Sequence, residues 1–396
     1  MISLHRATSL ATGSYLVQAH ESIEFGREAE AALLDAVERQ KCRRVFIICS
    51  KSLSQMSDGP LARIAAALDT RFAGTFTNVQ PHTPRQNVLD AANCARKLDA
   101  DLIVSLGGGS VIDAAKGILI CLWHGIMDIS ELDALHITAK NPRPIRSPGD
   151  PIRLITISTT LSGSEFTPLA GITDAATRTK QIYRHELLVP RTVILDPRLL
   201  MRTPAWVLFS TGIRAVDNAI ESYCSPKANL ATEMHSIQGL KSLTQALPKI
   251  KSDPHNLDHY LEAQFGVWHA TLAIVTGAGT GASHGIGYAL GASQDVPHGH
   301  TSCVLLPAVL NWNASQNRPR QEQLCHAAGL PGTDLSNQVS KLVKCLGQPG
   351  KLRDLNIDYA ALDDIATRAV NYPSLKDNPV PITTIKDVRQ ILDLAW

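Results

Sequence analysis

The sequence predicts two halves of different class: an α/β half over residues 1–197, a parallel sheet flanked by helices, and an all-α half over residues 198–396. Three observations predict it. Strand-length apolar runs alternate with stretches of helical period as far as Asp196-Pro197, the pattern of a parallel sheet covered on both faces. Beyond Pro197 the short runs stop and long helical patterns follow. One strand runs straight into Gly107-Gly108-Gly109, and a helix opens after it. With no Cβ in that turn, backbone N–H groups at the positive end of a helix can approach an anion closely.

Taken in order, Phe25 to Gln40 carries Ala32, Leu33, Ala36 and Val37 on one face and reads as a helix. Arg44 to Cys49 is a buried strand, Leu61 to Leu68 a helix, Thr75 to Val79 a short strand and Asn87 to Leu98 an amphipathic helix. Asp101 to Leu106 is the strand feeding the glycines, and Val111 to Trp123 the helix beyond them. Asn141 to Pro151 holds four prolines and a glycine, so it is a loop. Strands resume at Leu154 to Ile157 and at Arg191 to Leu195; between them Ala176 to His185 is polar and hairpin-like. The helical half follows as Leu208 to Ser222, Glu233 to Leu247, Tyr260 to Gly277, Gly281 to Leu290, Gln321 to Ala328 and Leu335 to Leu346. A cleft between two such halves is where a small-molecule site is expected.

Composition narrows the function classes. The chain has 396 residues, 44% hydrophobic and 19% charged, enough for two cores. A net charge of +2 supplies no broad basic field, so neither nucleic acid nor an anionic membrane is an expected partner. No apolar run approaches the roughly 18 residues of a membrane span, and Met1 to Leu10 lacks the apolar centre of a signal peptide. The eight cysteines are scattered without a CxxC pair. Free thiols and a cytoplasmic location are expected.

Five features carry candidate chemistry. Gly107 to Ser110 is a phosphate cradle, though neither GxGxxG nor a Walker loop. Thr159-Thr160-Leu161-Ser162-Gly163-Ser164-Glu165 offers hydroxyls and backbone donors to a pyrophosphate, ribose or amide; alone it also reads as a turn with Glu165 capping back to Ser162. Lys180 lies about fifteen residues on, either solvated or reaching a phosphate or ribose. Gly212 to Glu221 puts Arg214, Asp217, Asn218 and Glu221 on one helical face, opposite Ile213, Val216 and Ile220. That face is either wet or lines the cleft. His284 and His298 stand fourteen residues apart in glycine-rich settings, as acid/base or metal-ligand candidates or as ordinary histidines.

In this order the segments resemble the iron-containing (group III) alcohol dehydrogenase family, most of all its maleylacetate reductase branch. Gly107 to Lys116 matches the family's GGGSxxDxxK cofactor loop. Thr159 to Thr173 resembles the branch's TTYAGSE–TP–GIT segment, with Leu161 in place of tyrosine. The resemblance implies an N-terminal dinucleotide-binding domain and a helical domain, the fold shared with dehydroquinate synthase-like proteins. It implies a reductase using NAD(P)H on an oxo acid or a related carbonyl or enone, and a homodimer; the alternatives are a conventional metal-dependent alcohol dehydrogenase, in which Asp217 and a water complete the site, and a specialised reductase in a secondary-metabolite pathway. Ser50, Gly107, Gly108, Gly109, Ser110, Asp113, Thr159, Thr160, Ser162 and Lys180 would hold the cofactor. Ser50 stands where NAD-specific relatives carry an acidic residue, so NADPH should be tolerated.

The departures from the family pattern are equally informative. The family holds a divalent metal through an aspartate, a histidine four residues later, and two further histidines. His284 and His298 match the last two positions, but Arg214 and Asn218 replace the first two. An arginine repels a dication, and two imidazoles fall short of the three or four protein ligands usual for a retained metal. No tightly bound iron or zinc is expected. Asp217 is displaced about 100° around the helix from the ligand position, and Tyr288 replaces a further histidine. Arg214 would hold a carboxylate or polarise a carbonyl, or else pair with Asp217 or Glu221. His284 or His298 would supply the proton.

Overall fold

The computed structural model describes residues 15–177 and 179–396; the segment Met1 to Leu10, read above for a signal peptide, lies outside them. The sheet has six parallel strands: β1 (Ser22–Phe25), β2 (Val45–Cys49), β3 (Phe72–Phe76), β4 (Leu102–Gly107), β5 (Arg153–Ser158) and β8 (Thr192–Leu195), in the order β1-β8-β5-β4-β2-β3. A separate antiparallel pair, β6 (Leu169–Asp174) and β7 (Thr179–Arg184), precedes β8. Helices α1 (Ala29–Arg39), α2 (Lys51–Ser54), α3 (Pro60–Leu68), α4 (Arg85–Lys97) and α5 (Gly109–His124) make the connections.

The period of two explains why β2 reads as an unbroken apolar run. Val45, Ile47 and Cys49 pack with α1 and α3 on one face. Phe46 and Ile48 pack with α4 and α5 on the other. Both faces are dry, so neither set can be polar. The chain turns outward in opposite directions after β2 and after β4. Their carboxyl ends therefore flank a topological switch point, where α/β sheets bind ligands.

From Pro197 on, every described element is helical: α6 (Pro197–Leu200), α7 (Ala205–Cys224), α8 (Leu230–Ser252), α9 (Leu257–Ala273), α10 (Ala282–Gln294), α11 (His298–Ala328), α12 (Leu335–Cys345), α13 (Leu362–Ala369) and α14 (Ile385–Ala395). One apolar cluster packs α7, α8, α9, α11 and α12 against Leu161, Phe166, Val193 and Leu195, so the halves share a core. A second joins α10 and α11 to α13 and α14. No helix among the described residues is long and apolar enough to cross a membrane. All eight cysteines are free, five of them buried.

Several boundaries differ from expectation. The helix expected over Phe25 to Gln40 begins only at Ala29; Phe25 ends β1, and Gly26, at φ 72°, turns the chain between them. The strand expected over Thr75 to Val79 lies over Phe72–Phe76, where its partner β2 is in reach. The helix expected to run to Gly277 leaves α-geometry at Ile274, and Gly277 takes φ 102°. Gln321 to Ala328 is only the last part of the 31-residue α11. Pro307 and Pro319 sit inside it; each removes one backbone donor, while burial of Val304, Leu305, Leu306 and Leu310 holds the helix in place.

Candidate active site

The first corner of the site forms where β4 meets α5. Gly107 ends the strand, Gly108 is the N-cap and Gly109 begins the helix. The close fit requires glycine: a Cβ on Gly108 would stand 2.6 Å from Thr160 Cγ2, and one on Gly109 would stand 3.2 Å from Ser162 Oγ. Register aligns Gly107 with Ser158 of β5, and Thr159 N–H donates to the Gly107 carbonyl. The hydroxyl loop therefore lies directly over the bare first turn of α5, whose leading N–H groups have no acceptor within the helix. Thr160 Oγ1 and Ser162 Oγ are buried without a hydrogen-bond partner. Buried hydroxyls rarely stay unpaired, and beside a helix N-terminus they are placed to receive an anion. Ser50 caps α2 at the end of β2, and its N–H donates to the Leu106 carbonyl, which puts it on the same edge of the sheet.

The loop is anchored from below. Lys116, fully buried on α5, donates through Nζ to the carbonyls of Ser164 (2.6 Å), Thr167 (2.8 Å) and Leu169 (2.7 Å). Burial pulls its ammonium down to about 8. Asp113 accepts Ser164 Oγ–H at 2.6 Å and lies 3.8 Å from Lys180 Nζ. Lys180 is on β7, opposite Thr173 of β6, and its side chain crosses Gly171 in close contact. Asp113 and Lys180 are thus tied together at the edge of the cradle. Ser110 receives Thr83 Oγ1–H on its carbonyl. The loop's far side is held by Thr203 and Thr211, whose hydroxyls reach Thr159 O and Leu161 N.

The second corner is built on α7. Arg214, Asp217, Asn218 and Glu221 share one face, as their spacing predicts, but the face is not wet: all four are buried against α10 and α11. Two glycines permit the approach. A Cβ on Gly299 would lie 2.6 Å from Ser210 Oγ, and one on Gly281 would lie 2.9 Å from Glu221 Oε1. One turn past the Gly299–Ser210 contact, Ser302 meets Arg214: Nη1 donates to Ser302 Oγ at 2.9 Å, and Ser302 donates on to Asp217 Oδ2 at 2.6 Å. Glu221 caps α10, accepting Gly281 N–H and Ser283 N–H at 2.7 Å each.

The histidines of this corner differ sharply. His284 Nδ1 lies 2.7 Å from Glu221 Oε2, and Nε2 lies 2.7 Å from Asn218 Oδ1, so both ring nitrogens are engaged. His298 Nε2 lies 2.9 Å from Arg214 Nη2. Guanidinium only donates, so Nε2 accepts and the ring's proton sits on Nδ1. Nδ1 has no partner among the described residues. Burial, with Arg214 and Lys180 adding to it, holds the His298 ring well below its ordinary value and therefore neutral. Burial takes His284 down to about 3. Asp217 is pushed up to about 6 by burial and by Glu221, and burial lifts Glu221 to about 7. Helix α10 of this corner contacts β7, the strand that carries Lys180.

Tyr288 was not among the expected site residues. Four positions after His284, it shares that face of α10. Its ring stacks on His298 (centroids 5.4 Å apart, planes at 15°), and Arg214 Cζ lies 5.7 Å from its centroid. Its hydroxyl has no partner among the described residues. The i, i+4 spacing was the available signal; the stacking partner, ten residues further along, was not visible.

A divalent metal here would need three or four ligand atoms to converge. Asp217, Glu221 and His284 bring ligand atoms within 4.8 Å of one another. Yet Glu221 is occupied by two backbone N–H groups and His284, and Asp217 Oδ2 by Ser283 and Ser302 hydroxyls. Only Asp217 Oδ1 is buried and unpartnered. Every other ligand oxygen and nitrogen of these three side chains already has a hydrogen-bond partner within the chain. The two unpartnered hydroxyls beside the α5 start suit a phosphate group.

Known proteins share this architecture. A family model described as "Iron-containing alcohol dehydrogenase" matches residues 21–197, and one described as "Fe-containing alcohol dehydrogenase family, C-terminal" matches residues 208–396. Dehydrogenase ALT3 of Alternaria alternata is 32% identical over 377 aligned residues, covering 87% of this chain and 96% of the relative. Maleylacetate reductase of Sphingobium indicum is 28% identical over 337, covering 85% and 86%. The crystal structure of maleylacetate reductase from Agrobacterium tumefaciens superposes with a TM-score of 0.81 at 26% identity, covering 98% of this chain and 99% of that one.

Proposed function

The chain belongs to the iron-containing alcohol dehydrogenase family and is an oxidoreductase, and from that premise we propose that it is an NAD(P)H-dependent reductase of an oxo acid of the maleylacetate type. One observation carries the cofactor: Thr160 Oγ1 and Ser162 Oγ, buried and unpartnered, sit over the open first turn of α5. Gly107 to Ser110, with Thr159, Thr160 and Ser162, would hold the pyrophosphate and the nicotinamide end. Lys180, fixed by Asp113, would stand beside them, and Ser50 presents no carboxylate against a 2′-phosphate. Bound there, the reduced nicotinamide supplies the hydride.

The remaining chemistry belongs to the chain. His298 Nδ1–H, its tautomer set by Arg214, donates to the substrate oxygen and polarises the carbonyl. A neutral imidazole N–H is a far weaker acid than a phenol. Tyr288, stacked on that ring, therefore supplies the proton to the oxygen that gains the electron pair. Arg214 and Lys180, each with an acidic neighbour, are the cations that would meet a substrate carboxylate. His284, with both nitrogens engaged, acts as a support.

A second reading has one observation in its favour. The Alternaria dehydrogenase is more similar, at 32%, than the Sphingobium maleylacetate reductase, at 28%, which favours a substrate other than maleylacetate; this second reading is a specialised reductase of another carbonyl or enone in a biosynthetic pathway. One experiment addresses both: consumption of NADH and NADPH with maleylacetate, other oxo acids, enones and neutral aldehydes. Preference for an oxo acid supports the first reading, and preference for a neutral enone the second. Tight cofactor binding with no turnover of any compound sinks both.

A further inference from the structure

We infer that two substitutions close this centre to a divalent metal, each removing one family ligand and capping one that remains. Positions 214 and 218 are those where the family pattern places an aspartate and a histidine. Here Arg214 not only fails to ligate; its Nη2 occupies the Nε2 lone pair of His298 at 2.9 Å. Asn218 not only lacks an imidazole; its amide occupies Nε2 of His284 at 2.7 Å. The two imidazole nitrogens left for a metal are thus both engaged, by the two residues that replaced its other ligands.

The surrounding groups hold this arrangement in place. Arg214 is anchored by Ser302 and lies 4.0 Å from Asp217 Oδ2, inside a buried network rather than swinging free. Asp217 faces it from the same helix, and Ser283 and Ser302 saturate the nearer Asp217 oxygen from α10 and α11. A dication entering here would meet a fixed cation that cannot lose its proton. It would also have to displace Arg214 and Asn218 from the two imidazole nitrogens before binding either one. The guanidinium takes the position of the charge, and the imidazole it orients takes over contact with the substrate oxygen. This inference rests on the α7–α10–α11 geometry alone and stands or falls separately from the choice of substrate.

The test is metal binding, not turnover. Wild-type protein and an Arg214→Asp/Asn218→His double variant are produced in iron- and zinc-supplemented medium, dialysed and analysed for metal. Each is then titrated with Co²⁺ while ligand-field absorption is followed. The wild type is expected to retain far less than one equivalent, to show no ligand-field bands, and to melt at the same temperature with and without EDTA. The double variant is expected to take up about one Co²⁺ per chain with bands of a low-symmetry site. About one equivalent of iron or zinc held by the wild type, with a melting temperature lowered by EDTA, overturns the inference. So does a folded double variant that binds no Co²⁺, because the two residues are then not what closes the site. Should the double variant not fold, the wild-type measurements decide alone.

Discussion

A methyl group on Gly108 tests the cofactor cradle at its tightest contact. At φ −91° and ψ −168° the backbone accepts any L residue, so Gly108→Ala acts through space and not through torsional strain. The new Cβ would stand 2.6 Å from Thr160 Cγ2 and 3.0 Å from Thr160 Oγ1. Ordinary carbon–carbon contact begins near ~3.5 Å, so Thr160 must retreat by about 1 Å. Overpacking of this kind costs about 1–3 kcal/mol. The strain falls on the hydroxyl proposed to meet the pyrophosphate, so the Kd for NADH or NADPH should rise roughly 10- to 100-fold. Titration of reduced-cofactor fluorescence, with a thermal melt of the free protein, reads both parts. A Gly108→Ala/Thr160→Ser variant deletes the clashing Cγ2 and keeps the hydroxyl, and it should recover most of the affinity. A single Gly108→Ala variant that binds cofactor like wild type would refute the placement.

Four further outcomes are expected. Tyr288→Phe keeps the stack on His298 but loses the proton, so kcat should fall about 10²-fold or more while cofactor Kd and melting temperature stay; undiminished kcat reduces Tyr288 to a packing role. Arg214→Lys keeps a charge but loses the planar fork that sets the His298 tautomer, so kcat should drop with folding retained, and wild-type kinetics would contradict that tautomer assignment. Lys116→Met strands the carbonyls of Ser164, Thr167 and Leu169, at about 1–3 kcal/mol for each unsatisfied group; an unchanged urea midpoint would speak against it. His20 donates through Nδ1 to the Pro190 carbonyl, and burial takes its ring from 6.5 down to about 4. Between those two values the unfolded chain binds a proton that the folded chain refuses. The contribution of His20 is therefore complete above pH 6.5 and is lost as pH drops towards 4, by up to about 1.4 kcal/mol per unit. His20→Asn should flatten the urea-stability curve between pH 6.5 and 4, and an identical slope would exclude His20 as its source.

What the sequence determined by itself is what depends on neighbours along the chain. The strands β2, β4, β5 and β8 were legible because both faces of each are buried, which leaves a continuous apolar run. The glycine turn was legible because three consecutive glycines follow an apolar run and precede a helical one. The stripe of Arg214, Asp217, Asn218 and Glu221 followed from helical period alone. The half-exposed edge strand β1 was missed because Ser22-Ile23-Glu24-Phe25 carries no such run, and β6 was missed because Gly171 and Thr173 read as loop. The tertiary structure decided the chemistry of the stripe. Period placed four polar residues on one face but could not show that α10 and α11 bury them, that His284 is engaged at both nitrogens, or that His298 keeps Nδ1 free. Those facts turn on which donor meets which lone pair across 60 to 90 residues of chain. Periodicity is a property of one helix, whereas the position of a proton is set by every group packed around it.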